Sequence, residues 1–305
     1  MDQPLFSIVT VSYNSGQWIK QAIESVLNGG FADFEYILSD DCSTDDTWNI
    51  IQSYSDPRIK CFRQQTNLTE YPNRNFALGK ATGKYLLFVD GDDYLYPDTL
   101  QKLSSYLEDY PQAGSVWGIY KEYFPVERLP IMLSPEQMIK WLYLANYPFG
   151  HFGFSETLFS VSLLKKMGGF PTHFIGGDTY IKKLVAVEQP VLMVPAGMMY
   201  WRMSPDQASS RLSRNYQGFR QNVNIEKEII QRLDEKKLNV PIHTIRRNIA
   251  IRNVKLLFKH TFLKFKILDG IKLFRELGFK IADLRFLFVK GDYTYRKLVE
   301  NNTWM

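Results

Sequence analysis

The chain has 305 residues, of which 45% are hydrophobic, 23% charged and 15% aromatic. That composition excludes a disordered chain, and the length allows one large domain or a domain with an appendage. The net charge of +5 is unevenly spread: from Pro241 onward 14 Lys and Arg face 5 Asp and Glu, a net of +9 that leaves the rest at −4.

Residues 5–12 (LFSIVTVS) are apolar and β-branched and predict a strand. Over residues 17–27, Trp18, Ile19, Ala22, Ile23, Val26 and Leu27 share one helical face. A second strand follows at 35–39, a short helix at 44–54, a third strand at 59–63, and a helix at 73–80 that stops at Ala81-Thr82-Gly83. Residues 84–89 (KYLLFV) read as a buried strand, and residues 97–106 open a helix on Pro97. Strands alternating with helices at this spacing predict βαβ units in an α/β fold with a mostly parallel sheet, whose ligands bind beyond the carboxyl ends of the strands.

Residues 113–210 are less regular. Strand-like stretches at 115–124 and 156–161 bracket a helix near 135–144; a helix at 178–187 and a strand or strand pair at 191–203 follow. From Asn215 the pattern is helical, with Gly270, Gly278 and Gly291 read as breaks. These shifts divide the chain into 1–212 and a basic helical region, 213–305.

Two acidic clusters sit just past predicted strands. In Asp90-Gly91-Asp92-Asp93, carboxylates so close together repel one another unless a cation binds, and hard oxygen ligands suit Mg²⁺ or Mn²⁺. The plainer reading is a solvated acidic turn. In Asp40-Asp41-Cys42-Ser43-Thr44-Asp45-Asp46, Ser43 or Thr44 is expected to cap the next helix, which leaves the paired acids unexplained. A carboxylate there can accept a hydrogen bond from a base N–H or a ribose hydroxyl.

The ordered motifs SIVTVSYN at 7–14, DDCSTDDT at 40–47, Arg74-Asn75, and ATGKYLLFVDGDD at 81–93 resemble the family 2 glycosyltransferases, whose catalytic domain has the GT-A fold. The resemblance covers about residues 5–210 and implies an enzyme that moves a sugar from a nucleotide-sugar donor to an acceptor hydroxyl. It implies that Val11 and Tyr13 line the nucleotide base, that Asp41 binds the base (usually uracil), and that Arg74 lies near the nucleotide. Asp90 would reach the ribose, and Asp92 or Asp93 would ligate Mn²⁺ or Mg²⁺. Asp178, in Ile175-Gly176-Gly177-Asp178, matches the family's general base, implying single displacement with inversion. A capping Asp is the plainer reading of Asp178.

The chain departs from the family in three places. Val11-Ser12 stands where Pro is common before Tyr-Asn, Gly177 replaces a Glu, and Cys42 stands where Gly is frequent, so no positive φ is expected there. In FGHFGFSE, His151, Phe152 and Phe154 are either acceptor-facing or, more plainly, a loop with core aromatics. Trp201-Arg202 resembles an aromatic-Arg pair found late in the family domain. The Gln-x-x-Arg-Trp motif of processive synthases is absent, which favours transfer of a single sugar in surface polysaccharide or glycolipid assembly.

Cys42 and Cys61 form neither a disulfide framework nor a zinc spacing, so a reducing compartment is expected. The N-terminus carries no signal-like pattern, and no run reaches the roughly 18 apolar residues that span a bilayer. The expected location is the cytoplasm. Basic and aromatic residues over 244–290 suit peripheral contact with the inner face of a membrane beside a lipid-linked or saccharide acceptor, or else form a solvated face of a helical appendage. Nucleic acid is not expected as a partner. Two further readings are a nucleotidyltransferase, whose Gly-rich signature loop is missing, and a non-catalytic membrane-surface binding protein, which would have lost its acids.

Overall fold

The computed structural model describes residues 3–120, 128–145, 154–203, 216–261 and 267–293. The chain forms two compact units. Met1–Ser134, Gly150–His173 and Gly177–Pro205 make the first; Pro135–Phe149, Phe174–Gly176 and Asp206–Met305 make the second. The expected division between residues 212 and 213 lies outside the described residues.

The first unit contains β1 (Phe6–Ser12), α1 (Ile19–Leu27), β2 (Phe34–Asp40), α2 (Thr47–Gln52), β3 (Ile59–Arg63), α3 (Glu70–Lys80) and β4 (Tyr85–Phe88). It continues through β5 (Tyr94–Leu95), α4 (Thr99–Asp109), β6 (Ser115–Ile119) and β7 (Ile131–Leu133). Beyond α5 (Pro135–Leu144), which belongs to the second unit, come β8 (Thr157–Ser160), α6 (Val161–Lys166), α7 (Gly177–Glu188), β9 (Val191–Pro195) and β10 (Met199–Tyr200). Eight strands form one sheet in the order β3-β2-β1-β4-β8-β6-β9-β7, and β5 pairs with β10 separately. β1 runs parallel to β2 and β4, β2 to β3, and β6 to β9; β8 enters antiparallel between β4 and β6.

Both faces of this sheet are covered, which is why its central strands read as continuous apolar runs. Ile8, Tyr36, Leu38 and Leu87 pack against Ile19, Ile23, Ile51, Leu100 and Leu103 from α1, α2 and α4. Val9, Ile37, Leu86 and Phe88 point the other way, onto Ala77, Leu78, Leu164, Ile181 and Val185 from α3, α6 and α7. Each such side chain stabilises the fold by roughly 1.5–3 kcal/mol relative to exposure.

A buried acid holds the edge of the sheet remote from the strands' carboxyl ends. Glu35 accepts from Ser7 Oγ at 2.6 Å, Lys60 Nζ at 2.6 Å, and the amides of Thr82 at 2.5 Å and Gly83 at 3.1 Å. A Cβ on Gly83 would fall 2.6 Å from the Ser7 amide nitrogen, so the turn into β4 needs glycine for close approach. Burial pushes the Glu35 carboxyl up, but Lys60, Ser7 and the Thr82 amide outweigh it and hold the pKa at about 2.

Several local expectations are corrected. α3 begins at Glu70 rather than Asn73, with Pro72 in its first turn, where no amide donor is needed. Gly270 is no break: it lies inside a helix, where a Cβ would come within 2.6 Å of Thr261 Cβ. The second unit contains α5, α8 (Gln217–Lys236), α9 (Ile242–Thr261), α10 (Ile267–Glu276) and a 3-10 helix, Ile281–Phe288. Val223, Leu257, Leu273 and Leu277 form an apolar cluster there, and Glu226 joins Tyr143 Oη at 2.6 Å to Arg252 at 2.7 Å. Among the described residues no helix is long and apolar enough to cross a membrane.

Candidate active site

Because β2 and β4 both flank β1 in parallel, their carboxyl ends lie at one edge of the sheet. The turns beyond them hang from adjacent residues of β1: the Asp41 amide donates to Ser12 O at 2.8 Å, and the Gly91 amide to Val11 O at 3.2 Å. Asp41 and the Asp90–Asp93 cluster therefore share one rim, with Tyr13, half exposed, on the turn that follows β1.

The polar run after β2 braces this rim. Ser43 and Thr44 do not cap α2. Ser43 Oγ donates to Asp40 Oδ1 and accepts from the Asn14 amide at 2.9 Å, while the Thr44 amide donates to Asn14 Oδ1 at 2.8 Å. Asp45 receives the Gly16 and Thr47 amides at 2.9 and 3.0 Å. Cys42, expected to avoid positive φ, adopts φ 64°. That turn lets the Ser43 amide fold back onto Asp40 Oδ2 at 3.1 Å, which offsets a left-handed conformation an L-residue otherwise disfavours.

Asp41 is buried and accepts the Leu68 and Thr69 amides at 2.8 and 2.9 Å, fixing the approach to α3. Burial raises its pKa despite those bonds. One turn into α3, Arg74 reaches Asp90 Oδ2 at 2.9 Å and Glu70 Oε1 at 3.2 Å. Its guanidinium lies 4.8 Å from the ring centroids of both Phe88 and Phe154, which pack against each other. Burial disfavours the Arg74 charge, but Asp90 and Glu70 keep it firmly protonated. Phe154 belongs to this aromatic packing with Phe88, Phe159 and Phe170. His151 and Phe152 lie outside the described residues.

The remaining acids are held from far along the chain. Pairing of β5 with β10 brings Arg202 beside them: its amide donates to Asp93 Oδ1 at 2.8 Å and its Nε to Asp92 O at 2.8 Å. The Arg202 guanidinium also lies 3.8 Å over the Trp18 ring. Burial, then the negative charge of Asp90, pushes Asp93 up to about 8 and also raises Asp92.

These residues fit a divalent cation. Asp90 Oδ1, Ser12 Oγ and Arg74 NH1 are buried without a hydrogen-bond partner, so the rim has polar capacity open to a ligand or to water. Added positive charge would relieve the repulsion that raises Asp92 and Asp93. Among the described residues no group of three or more His, Cys, Asp or Glu side chains could cage a metal alone. Mg²⁺ and Mn²⁺ bind through one or two carboxylates and complete their shell with phosphate and water. Asp90 pairs with Arg74 through Oδ2, and Asp93 takes the Arg202 amide through Oδ1.

Asp178 stands in the first turn of α7, its Oδ1 accepting the Thr179 amide at 2.7 Å. Its own amide donates to Tyr71 Oη at 3.3 Å. α3 thus contacts both parts of the site, through Arg74 to Asp90 and through Tyr71 to Asp178. Glu70, beside Tyr71, is raised by crowding of protein around it and by the charges of Asp90 and Asp178, against the pull of Arg74. One turn after Asp178, Lys182 is buried with its Nζ 4.6 Å over the Trp117 ring, and burial lowers it to about 7. Glu70, Tyr71 and Lys182 belong to none of the sequence motifs; their signal is the four-residue spacing of Glu70–Arg74 and Asp178–Lys182.

Residues 7–166, more than half of the chain, match the family model "Glycosyl transferase family 2". The chain is 36% identical over 120 residues to the UDP-Glc:alpha-D-GlcNAc-diphosphoundecaprenol beta-1,3-glucosyltransferase WfaP of Escherichia coli, covering 39% of this chain and 46% of that protein. It is 34% identical over 110 residues to the poly(ribitol-phosphate) beta-N-acetylglucosaminyltransferase TarS of Staphylococcus aureus, covering 34% and 19%. The matches therefore span less than half the length of these relatives. Among solved structures, S. aureus TarS superposes with a TM-score of 0.66 at 17% identity, over 98% of this chain and 54% of that one. The mannosyltransferase PcManGT of Pyrobaculum calidifontis, solved with GDP-Man and Mn²⁺, superposes at 0.59 and 16% identity over 98% and 85%. TarS has also been solved in complex with UDP-GlcNAc, and that structure superposes at 0.56 and 17% identity over 96% and 91%.

Proposed function

Because the chain belongs to glycosyl transferase family 2, we propose that it transfers a single sugar, with inversion, from a UDP-linked donor to an acceptor hydroxyl. The observation that carries this reading is the convergence of Asp41, the Asp90–Asp93 cluster and Asp178 around the first turn of α3. UDP-linked donors appear in the names of WfaP and in the TarS complex. A saccharide or lipid-linked acceptor in surface-polymer assembly is consistent with the acceptors those names carry.

In this reading Val11 and Tyr13 border the base, and Asp41 uses the lone pairs left after binding Leu68 and Thr69 to accept from the base N–H. Asp90 faces the ribose. Arg74 holds Asp90 and adds buried positive charge beside the diphosphate. Asp92, with Asp93 behind it, would hold Mn²⁺ or Mg²⁺, which when bound supplies charge stabilisation to the departing diphosphate. Asp178 accepts the proton of the acceptor hydroxyl as its oxygen bonds to the anomeric carbon. The bond from that carbon to the donor phosphate breaks, and its electron pair leaves with the diphosphate. With one base and no enzyme nucleophile, the anomeric configuration inverts.

The free thiols Cys42 and Cys61 suit a reducing, cytoplasmic setting. The test is a panel of nucleotide sugars incubated with the full chain, with and without Mn²⁺ or Mg²⁺, with the anomeric configuration of the product read by NMR. A retained configuration, or turnover that Asp178→Asn leaves intact, would refute this mechanism.

A further inference from the structure

We propose that the second unit carries a binding site for the phosphate headgroup of an anionic phospholipid, seating the protein on a membrane surface. The site is built from residues of the second unit alone and does not rest on the transfer reaction.

Asn248, Arg252 and Lys255 recur at i, i+4 and i+7 and so line one face of α9. The chain beyond the 3-10 helix is pinned across that face. The Asp292 amide donates to Asn248 Oδ1 at 2.9 Å, and Asn248 Nδ2 donates to Asp292 O at 2.6 Å. This pair of hydrogen bonds fixes Lys290 and Tyr293 beside Arg252 and Lys255. A Cβ on Gly291 would fall 2.6 Å from the Tyr293 ring, so glycine permits the ring's close approach. The result is a cleft of about 380 Å³ lined by Ile251, Arg252, Lys255, Leu256, Lys290 and Tyr293. Its lining contains three cations and no acid. Glu226 offsets Arg252 at 2.7 Å, whereas Lys255 and Lys290 are exposed.

The walls identify the occupant. Ile251, Leu256 and the Tyr293 ring make the cleft apolar between its cations, as a phosphate carrying a hydrocarbon body requires. The same unit presents Leu268, Ile271, Lys272 and Arg275 on one exposed face of α10, at i, i+3, i+4 and i+7. Leu268 is 83% exposed and Phe288 90% exposed. Large apolar side chains so bare beside cations match a surface that dips into the headgroup layer, and the net +9 from Pro241 onward supplies the complementary charge.

The experiment is co-sedimentation of the full chain with vesicles of phosphatidylcholine alone or containing phosphatidylglycerol. Binding is expected only to the anionic vesicles. The pair Lys255→Glu and Lys290→Glu should weaken it by about tenfold or more, and Lys20→Glu with Lys102→Glu on the first unit should leave it within about twofold. Leu268→Ser with Phe288→Ser should weaken it without changing charge. Millimolar glycerol phosphate, a soluble headgroup mimic, should compete for the cleft and weaken binding to the anionic vesicles. The milder pair Lys255→Gln and Lys290→Gln, checked by circular dichroism, guards against misfolding. Equal binding to both vesicle types, wild-type binding by either Lys255 and Lys290 pair, or binding unaffected by glycerol phosphate would overturn the proposal. Donor turnover on a soluble acceptor should be unchanged in every variant, so failure here leaves the transfer reading standing.

Discussion

The ring of Tyr71 fills the space where a side chain at position 177 would begin: a Cβ on Gly177 would lie 2.9, 3.0 and 3.1 Å from three of its ring carbons. The family pattern has Glu at this position, and here an aromatic ring has taken its volume. Glu70, on the neighbouring residue, brings a carboxylate whose charge couples to both Asp90 and Asp178.

Restoring the family residue should therefore fail. Gly177→Glu is expected to lower stability by about 1–3 kcal/mol through overpacking and to reduce turnover, whereas Tyr71→Ala combined with Gly177→Glu should recover part of the stability. Urea denaturation and donor turnover on both variants check this.

Arg74 is held by two carboxylates and two aromatic faces. Arg74→Ala strips Asp90 of its partner within a crowded site and should destabilise the fold by about 3 kcal/mol. Arg74→Lys keeps the charge but not the planar fork that stacks and bonds at once, so it should fold well and still lose most donor affinity. Thermal unfolding together with UDP titration separates the two effects.

Glu35 makes stability depend on acid. Its pKa is about 2 in the fold against an ordinary 4.5, so its contribution is complete above about pH 4.5 and disappears as pH falls through about 2. The shift corresponds to roughly 3 kcal/mol. Glu35→Gln should lower stability at pH 7 and flatten the fall of stability between pH 5 and 2. Chemical denaturation across that range measures both.

Lys182 does the opposite. Burial lowers it from 10.5 to about 7, so between those values the unfolded chain binds the proton that the fold rejects, and stability rises with pH. Lys182→Met, which keeps an unbranched side chain on Trp117, should stabilise the protein at pH 7 and remove that rise. Unfolding free energies at pH 7 and 10 decide it.

The βαβ succession, the parallel core and the shared rim were legible because apolar runs and helical faces repeat along residues 5–106, and acids follow two of the strands. Longer-range relationships left no local mark. Nothing near Asp93 announces that Arg202 will hold it, and Glu35 looks like one more strand acid until Ser7, Lys60 and Thr82 are brought around it. The Ser, Thr and Asp run after β2 mimics a helix cap in sequence, yet its bonds go across to Asn14 and Gly16. Gly270 reads as a break but serves a close approach to Thr261.

The central claim is that acids beyond two separate strands grip one donor with a cation between them. Calorimetric titration of UDP with and without Mn²⁺, on the wild-type chain and on Asp92→Asn, tests it most directly. Mn²⁺ is expected to tighten UDP binding by about tenfold or more in the wild type, worth about 1.4 kcal/mol, and to have little effect in Asp92→Asn. Equal enhancement by Mn²⁺ in both proteins would contradict it.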